Sequence, residues 1–142
     1  MRYFSKDERS TFPYWFAHWC AFQIIALLTG LWKPKYLFHD FEKPWLKLFW
    51  PYEKVRKWHR LHSNHHLEWL VKHGPEKFDF EGMLIDWECG RLTKRNSPLR
   101  AINYFKKETD KLQEMLGPDY ESSPTYQVFV ERVRELLKRN FD

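Results

Sequence analysis

The sequence predicts an all-α fold, a compact helical globule of about six or seven helices, and three observations carry that prediction. No segment alternates strictly between apolar and polar residues, and no Asn-Gly or Asp-Gly pair marks a hairpin. Apolar residues recur at helical spacing, most plainly at Tyr126, Phe129, Val130, Val133, Leu136 and Leu137. Gly30, Gly74-Pro75 and Gly117-Pro118 punctuate the chain where helices of ordinary length would stop. At 142 residues and 43% apolar, the chain suits one domain with one core and is too apolar to remain disordered.

Taken in order, residues 1–10 are polar and expected to be loose. A first helix is expected over Pro13–Thr29, with Thr11 as its cap and Gly30 as its stop. A short helix over Pro34–His39 leads to His39-Asp40, and Pro44 opens a short apolar piece that Pro51 ends. One long helix is expected over Tyr52–Lys72, another over Phe80–Leu92 with Asp79 as cap, and a polar loop over Thr93–Ser97. Supporting helices follow from Pro98 to Leu116 and from Pro124 to Lys138.

The net charge of +5 favours a partner that carries phosphate: a nucleotide or other small molecule is expected, nucleic acid fits as well, and a membrane surface fits the charge but is not the expected partner. Ordinary solvated faces account for the same charge nearly as well. The two cysteines, Cys20 and Cys89, are too few for a disulfide scaffold, which points to a reducing, cytoplasmic setting. From Thr11 to Trp32 there is no Asp, Glu, Lys or Arg. Pro13, His18 and Gln23 interrupt this run and its flanks carry no clear charge bias, so a buried core helix is expected rather than a membrane span.

The most informative segment runs from Trp58 to Trp69 and holds His59, His62, His65 and His66. On a continuous helix these four fall within an arc of about 120°, with His62 near its centre. Val55, Trp58, Trp69 and Leu70 share that sector, so the histidines face inward. Four imidazoles without partners in an apolar setting are costly, and a metal ion removes the cost by taking one nitrogen from each. His62 and His66 are the expected ligands, being nearest the centre of the face.

Three other positions bear on the same site. The adjacent His39 and Asp40 can share one ion or bridge two. Asp86 lies between Ile85 and Trp87 and needs a partner if buried, although a place on the polar side of its helix would leave it ordinary. His18 lies among aromatic residues, where a bond to a carbonyl is the plain alternative. Arg91, Lys94 and Arg95 form a small basic cluster beyond Asp86, either bordering a phosphate pocket or merely solvated.

The order His18, His39-Asp40, the histidine run and Asp86 resembles that of the HD-domain superfamily of metal-dependent phosphohydrolases, over roughly half the chain. A closer resemblance is to the DUF5662 type of bacterial and phage proteins. That pattern has an early His, then His-Asp-x-Ser-Lys, a cluster of the form His-x-x-His-Asn-x-His-His-x-Glu, and Met-x-x-Asp-Trp. Here the matching residues are His18, His39 to Lys43, His59 to Glu68, and Met83 to Trp87. Glu42 stands where the pattern has Ser, and Asn64 falls one place late, which puts the surroundings of the ligands in question.

The resemblance implies an HD-like helical domain holding one or two divalent transition-metal ions, with Mn, Fe, Co, Ni and Zn not distinguished. His18, His39, Asp40 and Asp86 would hold one ion, and Asp40 would bridge to a second held by His62, His65 and His66. Lys43 would lie near a substrate phosphate, and His59 would be a ligand or a proton shuttle. The implied activity is hydrolysis of a nucleotide or other phosphate ester. Two other readings fit the same residues: a di-iron oxygenase, and a non-enzymatic basic binding protein whose histidines form a structural metal staple.

Overall fold

The computed structural model describes residues 3–94 and 100–141. Arg95 and the expected helix start at Pro98 lie outside those residues. Among the described residues there are seven α-helices and no named strand, so the expected all-α class holds. The helices are α1 (Phe12–Leu28), α2 (Glu42–Leu46), α3 (Tyr52–His62), α4 (Leu67–His73), α5 (Phe80–Thr93), α6 (Ala101–Leu116) and α7 (Pro124–Asn140).

Local chemistry explains several boundaries. The Thr11 hydroxyl accepts from the Tyr14 N–H and Pro13 sits in the first turn, which starts α1. The Asp79 carboxylate accepts from the Gly82 N–H at 3.0 Å and starts α5. Gly30, Gly74 and Gly117 all have positive φ and end α1, α4 and α6.

Helix α5 is the axis of the fold. It is buried nearly all round, and α1, α6 and α7 pack against it. The core joins Phe22 and Ile25 of α1, Leu84 and Ile85 of α5, Leu112 of α6 and Phe129 of α7, all at 1% exposure or less. Any polar side chain on α5 is therefore placed where it requires a partner.

Three expectations change. The start of the chain is tied down: Phe4 is buried, and its N–H donates to the Thr93 carbonyl at 2.8 Å. Helix α1 is apolar on two sides but buries only one, since Phe12, Phe16, Ile24, Leu27 and Leu28 are exposed. Among the described residues, no helix is long and apolar enough to cross a membrane.

The third change matters most for the site. The long helix expected over Tyr52–Lys72 is two helices, α3 and α4, because Ser63 and His66 take extended backbone conformations. No glycine or proline marks this break. Ser and Asn compete with helical hydrogen bonds through their own side chains. Here the Ser63 hydroxyl lies 3.1 Å from His59 Nδ1, and the Asn64 carbonyl accepts from the Asp79 N–H at 2.7 Å. The break turns His65 and His66 inward from a loop.

Candidate metal centre

Five chain segments converge on one buried cluster. Helix α1 supplies His18, the turn before α2 supplies His39 and Asp40, α3 supplies His59, the α3–α4 turn supplies His65 and His66, and α5 supplies Asp86. The His39-Asp40 turn is stapled to α1 by hydrogen bonds from Trp15, Trp19 and Gln23 side chains to the carbonyls of Asp40, Leu37 and Tyr36, at 2.8, 3.0 and 2.7 Å. Phe22 stacks on the His39 ring at 3.7 Å. Asp40 has φ of 55°, the one non-glycine residue with positive φ among those described. Asp tolerates this region better than most residues, and its cost marks a conformation enforced by the surroundings.

Asp40 is the hinge of the cluster, with a different donor set on each carboxylate oxygen. Its Oδ2 lies 3.6 Å from His18 Nε2, 3.5 Å from His39 Nε2 and 2.8 Å from Lys43 Nζ. On that side His18 Nε2 is 3.3 Å from His39 Nε2, and Asp86 Oδ1 is 3.0 Å from His18 and 3.8 Å from His39. Its Oδ1 lies 3.1 Å from His59 Nε2 and 3.8 Å from His65 Nε2. His59, His65 and His66 can bring one nitrogen each to within 4.8 Å of one another.

The spacing has a direct chemical reading. Donor atoms that share an ion at about 2.0–2.2 Å stand about 3–3.5 Å from one another. The observed separations bracket that range. More tellingly, Asp40 Oδ1 and the Nε2 atoms of His59, His65 and His66 are all buried without a hydrogen-bond partner. His59 is near enough to Asp40 for an ion pair but lacks the alignment of a hydrogen bond. Buried polar atoms are otherwise almost always paired. His59, His65 and His66 group within 4.8 Å and Asp40 Oδ1 lies 3.1 and 3.8 Å from the first two, so the residues present fit a cation there, and a possible metal site is what this buried cluster supports.

Two residues that sequence reasoning left outside the site belong beside it. The Glu42 carboxylate is hydrogen-bonded to His59 Nδ1, which leaves Nε2 to face the cluster. A carboxylate behind a histidine fixes its tautomer and raises its basicity as a ligand. The departure at Glu42 thus supplies a partner for His59. Cys89 is buried, donates to the Asp86 carbonyl at 3.1 Å and lies 3.6 Å from His18 Nδ1. Burial, reinforced by Asp86, pushes its thiol pKa well up, so it backs His18 as a neutral group. Its spacing three residues after Asp86 places it on the same helical face.

The structure does not bring His62 to the cluster. With α3 ending at His62, its ring is exposed, stacks on Trp58 at 4.2 Å and bonds the Trp58 carbonyl at 2.8 Å. His59 occupies the place expected of it. Of the basic cluster beyond Asp86, Arg91 pairs with the buried Glu88, as Arg100 does, and Arg95 lies outside the described residues.

Electrostatics keep the cluster ready for a cation. Burial raises the pKa of Asp40, but His39, His59 and Lys43 overcome it and hold the carboxyl well below its usual range. Asp86 is likewise held down against its burial by His18 and His39. Burial and then His39 push His65 down to about 4, and burial and then His65 push His66 well below its usual value. These two rings are neutral near pH 7 with lone pairs available.

A pH dependence follows for the metal-free protein. The unfolded chain protonates His65 near 6.5, whereas the folded site resists until about 4. Between those values the unfolded state binds more protons, so stability falls as pH is lowered, by about 1.4 kcal/mol per pH unit for each such ring. His59 acts in the opposite sense, because Asp40 raises its pKa against burial and its contribution fades as pH rises. The Asp40 and Asp86 contributions are lost only below the usual carboxylate range. The urea midpoint of chelator-treated protein is therefore expected to fall between pH 6.5 and about 4, and a flat profile there would contradict this electrostatic picture.

Glu42→Gln should weaken metal affinity by roughly ten- to a hundredfold while leaving the helical circular dichroism unchanged. Titration with a competing chelator measures it; unchanged affinity would remove Glu42 from the site.

A cavity of about 350 Å³ opens beside this cluster, lined in part by Arg9, Trp15, His18, Asp40, Lys43 and Lys47. A second, of about 440 Å³, reaches His39, Asp40 and His65 from another side. No family model, curated protein or solved structure matches the chain.

Proposed function

We propose that this chain is a metal-dependent phosphohydrolase of HD-like type, acting on a nucleotide or other phosphate ester through a two-ion centre bridged by Asp40. The observation that carries the reading is the bridging carboxylate itself, with separate donor sets on its two oxygens and four buried atoms of the second set left without partners. His18, His39, Asp40 and Asp86 would hold one ion, and Asp40, His59, His65 and His66 the other. Bound ions of this kind acidify coordinated water and neutralise charge on phosphoryl oxygens.

The chain's own residues supply the rest. Lys43 lines the first cavity while paired with Asp40 at 2.8 Å, so its remaining N–H groups are available to a phosphate there. Arg9 and Lys47 line the same cavity and add positive charge. Trp15 and Phe12 offer flat walls against which a base or other ring can lie. His18 and Asp40 line the cavity, so the centre is accessible from it, as catalysis requires and a structural staple does not.

Elemental analysis of protein purified without a metal-binding tag tests this reading, together with phosphate release from p-nitrophenyl phosphate and nucleoside monophosphates. A ratio near two ions per chain and activity that His62→Ala leaves intact are expected. Protein without transition metal would overturn the reading. So would iron-coloured protein that releases no phosphate, in favour of oxygen chemistry.

A further inference from the structure

The outer surface around the first cavity is unusually apolar. Between Leu37 and Phe49 the side chains of Phe38, Phe41, Trp45, Leu48 and Phe49 are exposed, from 41% at Phe41 to 82% at Phe49. The aromatic rings continue onto α1. Phe38 meets Phe41 at 5.7 Å, Phe41 meets Trp15 at 5.7 Å, and Trp15 meets the exposed Phe12 at 5.5 Å. Leu48 and Phe12 then line the first cavity together, so the patch runs up to the mouth through which the buried cluster is reached. Contiguous exposed apolar surface of this kind marks an interaction site.

Charge decides what covers it. Residues 12–52 contain four lysines and two acids, but Lys33, Lys35 and Lys43 pair with Glu81, Asp79 and Asp40, which leaves Lys47. One acid, Asp40, is buried in the cluster and the other, Glu42, is bound to His59. Lys47 stands exposed between Trp45 and Leu48 and forms no salt bridge among the described residues. Lys54 lies over the Trp50 ring at 4.3 Å at the edge of the same segment. A two-fold contact between copies of this chain would set Lys47 and Lys54 near their counterparts, with Glu53 as the exposed acid of the segment to answer them. Aromatic rings interleaved with lysines instead match the interface of an anionic bilayer, where rings enter the headgroup region and lysines meet lipid phosphates.

We infer that this face docks the protein on the surface of a bilayer rich in anionic phospholipid, with Phe38, Trp45 and Phe49 entering the interface and Lys47 contacting headgroups. The protein lies on the membrane and does not span it. The proposal does not require the hydrolase reading, although Lys47 and Phe12 also line the first cavity and its mouth then faces the lipid.

Sedimentation of the full chain with vesicles tests it, using phosphatidylcholine alone and phosphatidylcholine mixed with phosphatidylglycerol. Binding is expected to the mixed vesicles and to be weakened by salt. The combined variant Phe38→Ser, Trp45→Ser and Phe49→Ser changes only exposed side chains. It should keep its circular dichroism and metal content and partition roughly tenfold more weakly. Asp40→Asn should bind vesicles as the unaltered chain does, which separates failure of this proposal from failure of the metal reading. No binding to mixed vesicles, or equal binding by the triple variant, would overturn the proposal. So would a dimer in solution that the triple variant dissolves while vesicle binding is absent.

Discussion

Asp40→Asn is expected to abolish metal binding at both positions and to lower phosphate release by at least about a thousandfold. The substitution keeps size and shape, and Asn tolerates the φ of 55° at this position. What it removes is the negative charge that both donor sets share. The single oxygen of the amide can serve one side, but its nitrogen then presents hydrogens to the other. The metal-free variant should also lose about 3 kcal/mol, at the low end for stranding a buried charge because Lys43 can turn toward water. Metal-to-protein ratio, activity and urea midpoint together measure the effect. A variant that retains two ions would show that Asp40 does not bridge.

Removal of the ions is the second large effect. Ions that bind only the folded state add stability that grows with the ratio of free ion to Kd, reaching about 4 kcal/mol at a thousandfold excess. For a chain of this length that corresponds to roughly 10–20 °C in Tm. A strong chelator is therefore expected to lower Tm by about that amount, and restoring the divalent ion should recover it. Unchanged Tm on chelation would mean that the cluster holds no ion in the purified protein.

The helical class, the caps at Thr11 and Asp79 and the stops at Gly30, Gly74 and Gly117 were legible because short-range chemistry sets them. The resemblance in chain order pointed to His18, His39, Asp40 and Asp86 as one group, and the fold brings them together. The histidine run was misjudged because a helical wheel presumes an unbroken helix. The break at Ser63 and Asn64 depends on partners distant in sequence, the Asp79 N–H among them, which a local pattern does not contain. That single break exchanges His59 for His62 and puts His65 and His66 on a loop. Glu42 and Cys89 were illegible for a related reason. Each acts behind a ligand, and the residue it supports lies 17 and 71 positions away.

The dispersal of the cluster over five segments has a kinetic corollary. His18 and Asp86 meet only once α1 has docked on α5, and the α3–α4 turn must then close over Asp40. Such donors are far apart in any early, partly ordered chain, so a bound ion is expected to gain its full set of partners after the rate-limiting step of folding. Interactions absent from the transition state slow unfolding and leave the folding rate alone. Loaded and metal-free protein should therefore share the folding arm of a chevron plot and differ on the unfolding arm, which makes the metal a lock on the finished structure and no guide to reaching it.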